Sequence, residues 1–438
     1  MLSPGALTTL EIEKPAAGGR MIARAEGLVV LVAGAIPGER VQARITRIGK
    51  GVAYADTVTV DGASGDRRDP FVDPFCAGCL YAHISYLRQL DLKRDVILDA
   101  LARIGRIEWP ERLTVEASPE SGYRMRARLH VRSGRAGFFR EGTHDLCDAG
   151  ATRQLMPESI DAVNRLIGLL GNGGIQNVLE MEISENVDGS ERAIHLVVGS
   201  VGQVRALTSL DAANRLERLE GISGVTVGMA AAGFGARDAA AHRIDLVSGD
   251  AFVHDTIRVG SSAVRLRRHV MSFFQGNRFL LEPLVAHVVG SIHLDGPLTD
   301  LYAGVGLFAS CAAAAHPISL TAVESDRIAA DDLQANLAPL GERAETIQLP
   351  VETFLKRERQ PPRTLIVDPP RTGMSREAMD GVLRLKAPRV VYVSCDVATL
   401  ARDARRLIDV GYAIRDVKAF DLFPNTPHVE TVVRFDLP

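Results

Sequence analysis

The spacing of apolar positions divides the chain into three stretches of different character. Over residues 8–60 short apolar runs alternate with polar positions: Leu28-Val29-Val30-Leu31-Val32, Val41-Gln42-Ala43-Arg44-Ile45-Thr46 and Ala53-Tyr54-Ala55-Asp56-Thr57-Val58. Gly18-Gly19 and Pro37-Gly38-Glu39-Arg40 punctuate them as turns. Strands at this spacing predict a small β-barrel. Residues 61–75, rich in Gly, Asp, Arg and Pro, read as a linker. Ile84, Leu87, Leu90, Val96, Ile97, Leu101 and Ile104 then recur with a helical period over residues 83–105. Residues 176–260 alternate β-like runs with glycine-rich turns and predict a central β-rich domain.

From residue 284 the pattern changes. Continuous apolar runs at 297–302, 319–323, 364–367 and 390–393 are separated by helical segments. That order predicts a doubly wound, parallel α/β sheet. The expected organisation is multidomain: a barrel over 1–62, a central β-rich domain over 63–255, and a Rossmann-like α/β domain over 256–438.

Composition excludes little. The 438 residues suffice for two or three domains, and 46% hydrophobic with 24% charged is ordinary for a water-soluble chain. A net charge of −3 gives no global basicity, so any nucleic-acid binding must come from local patches. No apolar run is long enough to span a bilayer, and Met1-Leu2-Ser3-Pro4 opens no signal-peptide pattern. A cytoplasmic location is therefore expected. The five cysteines, an odd number in a large chain, do not predict a disulfide framework. Cys311, in an alanine-rich helical segment, reads as packing.

One local patch stands out. In residues 123–132, Tyr123, Met125, Ala127, Leu129 and Val131 fall on one face of a strand, and Arg124, Arg126, Arg128, His130 and Arg132 on the other. Guanidinium forks suit phosphate oxygens and stack on bases. Few carboxylates lie nearby in sequence to neutralise the stripe, so contact with RNA or DNA is the expectation.

The α/β half carries the candidate chemistry. Asp300-Leu301-Tyr302-Ala303-Gly304-Val305-Gly306-Leu307-Phe308-Ala309 follows a strand and opens a helix, so a ligand can approach the backbone at the helix N-terminus. Glu324 ends the next strand, about 20 residues on, where an acid can accept hydrogen bonds from ribose hydroxyls. A later strand ends at Asp368-Pro369-Pro370-Arg371, where two prolines hold the chain rigid beside the sheet's carboxyl edge. Finally, Val390-Val391-Tyr392-Val393-Ser394 runs into Cys395, and Asp396 is placed to cap a helix. A thiol beside uncapped helix N–H groups is easier to ionise and reads as a nucleophile; a small buried hydrophobe is the alternative.

Together these residues resemble the RNA uracil-C5 methyltransferases. Asp368-Pro369-Pro370-Arg371-Thr372-Gly373, then the run from Val390 to Asp396, then Thr399, is similar to that family's central signature, with Asp396 where Asn is usual. Phe420-Asp421-Leu422-Phe423-Pro424-Asn425-Thr426-Pro427-His428-Val429-Glu430 is similar to a second signature, with Asn425 where Gln, His or Tyr is usual. Residues 8–60, including Ala35-Ile36-Pro37-Gly38-Glu39, resemble a TRAM domain, an RNA-binding barrel. Phe273-Phe274-Gln275-Gly276-Asn277 is similar to the family's Phe-x-Gln motif.

The resemblance implies S-adenosylmethionine as methyl donor, bound by Gln275, Tyr302, Glu324 and Asp368, with Phe273 near the target base. It implies Cys395 as the nucleophile that adds to uracil C6, and Glu430 as the base that removes the C5 proton. His428 would polarise Glu430, shuttle the proton, or serve a structural hydrogen bond. A free thiol is only a few per cent ionised at neutral pH, so the site is expected to lower the Cys395 pKa. The helix over 83–105 would pack on the catalytic domain. The TRAM-like barrel and the cysteines point to the ribosomal RNA branch and the 23S molecule. Transfer RNA is the alternative substrate, and a non-catalytic RNA-binding assembly factor the alternative role. A dehydrogenase reading leaves Cys395 and Glu430 without a task. Neither a membrane nor an obligate protein partner is implied.

Cys76-Ala77-Gly78-Cys79, with Cys147, resembles a segment that holds a four-iron cluster in many members. Pro70 stands where the first cysteine of that segment would fall, which leaves three of the usual four. An oxygen ligand from Asp69 or Asp73, loss of the iron–sulfur cluster, and a zinc site all remain open.

Overall fold

A computed structural model describes residues 2–172, 178–217, 219–230 and 244–438. The N-terminal sheet has six strands: Leu7–Glu11, Lys14–Pro15, Met21–Ala25, Leu28–Ala33, Arg40–Ile48 and Val52–Gly62. Their spatial order is first, fifth, sixth, fourth, third, second. Alternation fills its interior: Val41, Ala43 and Ile45 point in while Gln42 and Arg44 point out. This core is not self-contained, because Tyr81, Ile84 and Leu92 from outside the barrel are buried within it.

The stretch read as a linker is held in place. Arg67 forms an ion pair with the fully buried Glu39 of the barrel, and Arg68 pairs with Glu120. The helix that follows spans Tyr86–Ala100 and widens into a π-helical turn over Leu101–Gly105. Its inward face differs from the apolar pattern. Leu87 is 76% exposed, whereas Gln89 and Lys93 are buried. Two polar side chains win interior positions because partners on another segment await them.

The central sheet has seven strands in the order Leu146–Asp148, Arg135–Phe139, Arg126–Arg132, Val178–Glu185, Arg192–Val198, Gly224–Met229 and Asp245–Gly249. The helix Pro157–Asn172 contributes Val163, Leu166 and Leu170 to its core. A hairpin, Phe252–Val259 with Ser262–His269, connects it to the last domain.

The C-terminal sheet has eight strands: Ala344–Gln348, Leu320–Glu324, Leu298–Leu301, Thr364–Val367, Arg389–Ser394, Glu430–Asp436, Ala413–Phe420 and Val115–Glu116. The first five are parallel, and the four inside the edge strand Ala344–Gln348 carry buried β-branched and leucine side chains, as expected of strands covered on both faces. Glu430–Asp436 then inserts antiparallel between Arg389–Ser394 and Ala413–Phe420. Chain order reverses between Leu298–Leu301 and Thr364–Val367, the kind of switch point where open α/β sheets bind ligands.

A buried ionic network joins the central sheet to the hairpin Phe252–His269 and the segment after it. Glu185, fully buried, pairs with Arg192 and, at 2.5 Å, with Arg278, and accepts from Ser159 Oγ at 2.6 Å. Arg268, also fully buried, pairs with Asp255 at 2.7 Å and donates to Ser184 Oγ and the Glu185 carbonyl. Removing one member of such a network strands the remaining buried charges. Glu185→Ala should therefore destabilise the protein by about 3–5 kcal/mol in a denaturant or calorimetric melt. A loss of under about 0.5 kcal/mol, the scale of a surface change, would contradict this reading.

Candidate active site

The strand Arg389–Ser394 is buried from Val390 to Ser394 and delivers Cys395 to the carboxyl edge of the sheet. Asp396 caps the helix Val397–Asp409, its Oδ1 accepting the Ala398 and Thr399 N–H groups at 3.1 and 2.8 Å. The substituted Asp therefore performs the capping that Asn also performs. In the antiparallel register Ser394 lies opposite Thr431. Cys395 follows Ser394 and Glu430 precedes Thr431, and the Glu430 charge acts on the thiol. The two residues with the strongest chemical expectations, 35 positions apart in the numbering, are thus neighbours.

Burial dominates the electrostatics. It pushes the Cys395 thiol up to about 12; the Glu430 and Asp368 charges push the same way, and Arg371 opposes them by charge and hydrogen bond. The expected depression of this thiol is not present, because desolvation outweighs the help of Arg371. Glu430 is held well above the usual carboxylate range by burial and by Asp368, with Arg371 opposing. Burial raises Asp368 to about 7. His428 is pulled down to about 4 by burial, then by Arg371, Lys93 and Arg124, so it is neutral at physiological pH. Its ring meets Phe423 edge-on at 6.3 Å. The ring is half-buried.

The residues expected to bind the methyl donor line the same edge. Gln275 Nε2 lies 3.4 Å from Asp368 Oδ2. Tyr302 adopts a left-handed backbone (φ 62°) and opens the glycine-bearing turn. Glu324 Oε2 accepts the Gly304 N–H at 2.8 Å, and its Oε1 accepts the Ser325 and Asp326 N–H groups. A Cβ on Gly304 would meet nothing within 4 Å, so the turn presents open backbone. On Gly306 (φ 88°) a Cβ would come within 2.7 Å of Leu333 Cδ1, so glycine is required for close helix packing there. The set fits a nucleoside-bearing ligand.

Sequence reasoning quoted but did not assign Arg371 and Asp300. Asp300 is fully buried and strongly raised, by burial and then by Asp368. Arg371 stood in the first signature. Its influence on Cys395, Glu430 and His428 depends on a tertiary convergence that no local pattern announces.

Two expectations are corrected. The arginine stripe is substantially neutralised. The strand Val178–Glu185 pairs with Arg126–Arg132 and sets Glu180 opposite His130 and Glu182 opposite Arg128. Arg126 pairs with Glu182, Arg128 lies 3.3 Å from Glu182, and His130 lies 3.2 Å from Glu180. The acids come from some 50 residues downstream, beyond the reach of a local reading. Arg124 precedes the strand and donates to Gln154 Oε1 at 2.6 Å. Arg132 lies over the Phe139 ring at 5.5 Å. The Arg128 side chain remains 56% exposed, and Phe273 is 63% exposed beside the buried Gln275.

The second correction concerns the cysteines. Cys76 and Cys147 form a disulfide, while Cys79 is a buried free thiol. Two of the three expected metal ligands, Cys76 and Cys147, are therefore bonded to each other and not open beside Cys79. Among the described residues no group of three or more His, Cys, Asp or Glu could hold a metal ion. The donors do not fit an iron–sulfur cluster. Among the described residues no helix is long and apolar enough to cross a membrane.

Known proteins share this architecture. A structure of Pyrococcus abyssi tRNA (uracil-54, C5)-methyltransferase in complex with S-adenosyl-L-homocysteine superposes with a TM-score of 0.75 at 24% identity, covering 97% of this chain and 99% of that one. The likeness defines a methyltransferase fold with an N-terminal barrel. Residues 236–436 match the tRNA (uracil-5-)-methyltransferase family and residues 4–58 the TRAM domain. An uncharacterized RNA methyltransferase of Corynebacterium efficiens is 32% identical, over 98% of this chain and 95% of its own. One of Streptomyces avermitilis is also 32% identical, over 97% and 96%. The chain belongs to the RNA uracil-5-methyltransferase family, and it is an RNA methyltransferase.

The raised Cys395 thiol makes a kinetic prediction. Only the thiolate alkylates, so iodoacetamide labelling of Cys395, followed by peptide mass spectrometry, should be slow at pH 7 and rise about tenfold per pH unit to pH 9. Arg371→Met should slow it further. A labelling rate already flat at pH 7 would show that the thiol is ionised there.

Proposed function

We propose that this enzyme methylates C5 of a uridine in large-subunit (23S) ribosomal RNA, using S-adenosylmethionine and a covalent adduct through Cys395. The observation that carries the reading is the strand pairing that ends at Ser394 and Thr431: it brings Cys395 and Glu430, the residues flanking that pair, to one end of the sheet, where Asp368 acts on both.

Uracil C5 is a poor nucleophile. Cys395 Sγ, as the thiolate that Arg371 favours, adds to C6, and the ring's electrons shift to give an enolate. C5 then bonds to the donor's methyl carbon. S-adenosylmethionine, when bound, supplies that electrophilic methyl and leaves as the thioether. Gln275, Tyr302, Glu324 and Asp368 orient the donor. The Glu430 carboxylate takes the C5 proton, and the electron pair of that C–H bond restores the C5–C6 double bond as the C6–S bond breaks. Cys395 leaves as thiolate. Because burial and the Asp368 charge raise the proton affinity of Glu430, the base is strong when it is ionised.

RNA would reach the site across the barrel (1–62) and the central domain (63–255), with the catalytic domain at 256–438. Phe273 is exposed to meet the target base and Arg128 to meet backbone phosphates; Arg132, half-buried, would join Arg128 on the phosphates, and Arg124, half-buried, would exchange its bond to Gln154 for RNA. A cytoplasmic location, where RNA and the methyl donor occur together, goes with this reading. The ribosomal assignment rests on resemblance to the branch that carries a TRAM domain. Transfer RNA is a second reading, favoured by one observation: the Pyrococcus abyssi structure covers nearly the whole chain, barrel included.

RNA containing 5-fluorouridine tests the chemistry. Fluorine blocks proton removal, so with the methyl donor the wild-type protein should form a denaturation-resistant adduct and Cys395→Ala none. An absence of adduct from wild type, or one retained by Cys395→Ala, would overturn the mechanism. Loss of 5-methyluridine from 23S RNA in a deletion strain, with transfer RNA unchanged, is expected; the reverse would select the second reading.

A further inference from the structure

The loop over residues 421–429 links the strand Ala413–Phe420 to the strand that begins at Glu430. It also carries His428. Its anchors come mainly from the distant N-terminal part of the chain. Lys93 Nζ donates to Asp421 Oδ1 and, at 3.1 Å, to the Phe423 carbonyl. Both charged side chains are fully buried. Gln89 Oε1 accepts the Asn425 N–H at 2.9 Å while its Nε2 donates to Asn425 Oδ1 at 3.0 Å. The Tyr81 N–H donates to the Asn425 carbonyl at 2.8 Å, and Arg68 Nη2 to Asn425 Oδ1 at 2.8 Å.

Asn425 sits at φ 63°, a left-handed conformation that Asn tolerates better than most side chains. Its backbone N–H, backbone carbonyl and side-chain oxygen are all engaged from outside the catalytic domain. The helix that supplies Gln89 and Lys93 is itself clasped by the barrel core through Leu92. The barrel also touches the loop directly. A Cβ on Gly19 would fall 2.6 Å from Leu80 Cδ2 and 2.8 Å from Pro427 Cγ, so the glycine turn abuts the loop. A loop cemented with a buried ion pair and five further hydrogen bonds has far more restraint than a connection between two strands requires.

We infer that Gln89 and Lys93 are positioning residues for the proton-removal step: by fixing loop 421–429 they hold Glu430 where it can take the C5 proton from the Cys395-bound base. The inference rests on the proposed function. Neither side chain touches the reacting atoms, since both spend their polar groups on the loop and its neighbours. Cys395 and its capped helix are built from another segment. Loosening the loop should therefore leave nucleophilic attack intact and slow release.

The test uses the full-length chain, the methyl donor, and one RNA substrate prepared with uridine or with 5-fluorouridine. Gln89→Met removes the Asn425 contacts without leaving a charge unpaired. Lys93→Met combined with Asp421→Asn removes the ion pair as a unit, and circular dichroism checks that each variant is folded. On 5-fluorouridine RNA both variants should form adduct to the wild-type extent. On uridine RNA they should accumulate covalent adduct at least about tenfold above wild type, with kcat lowered and KM for RNA unchanged, as for a weakened general base. Parallel loss of adduct formation and turnover, or unchanged turnover in both variants, would overturn the inference. If wild type itself forms no adduct on 5-fluorouridine RNA, it is the proposed function that fails.

Discussion

The pairing of Arg389–Ser394 with Glu430–Asp436 is the constraint on which the site depends. Antiparallel register is all-or-none: a one-residue slip would turn every side chain of the inserted strand to the other face. Val432, Val433 and Phe435 are fully buried in the two core layers on either side of the sheet, and that burial locks the register. Glu430, at the strand's first position, is then delivered to the thiol. Hydrophobic packing deep in the sheet thus fixes the geometry of a polar reaction at its edge.

The same burial sets the chemical character of the edge. Removing water raises the thiol and the carboxyl groups together, so none of them ionises cheaply. Arg371 is the counterweight that acts on both Cys395 and Glu430. A desolvated thiol is mostly un-ionised, and the thiolate is the form open to alkylation and oxidation.

Much of this was legible in residue order. The alternating runs of the barrel, the continuous apolar strands of the catalytic sheet, and the thiol at a strand end before a capped helix follow from local periodicity and local capping. The failures share one cause: a partner that lies far away in sequence. The arginines at 126 and 128 looked unpaired because Glu180 and Glu182 arrive on a strand formed some 50 residues later. Gln89 and Lys93 broke an apolar helix pattern because their partners lie more than 300 residues downstream. Cys76 and Cys147 looked like metal ligands because a local motif cannot show that they meet. The antiparallel insertion of Glu430–Asp436 was equally invisible, and with it the reason that Glu430 meets Cys395.

The proposed mechanism divides the labour: Cys395 activates the ring by adding to C6, and Glu430 completes the cycle by removing the C5 proton. RNA labelled with tritium at uridine C5 measures it directly, because proton removal sends the label into water. Wild type should release one tritium per methyl group transferred. Glu430→Gln should transfer the methyl group once and release almost none, and Cys395→Ala should do neither. Undiminished tritium release from Glu430→Gln, at the wild-type ratio to methyl transfer, would contradict the account.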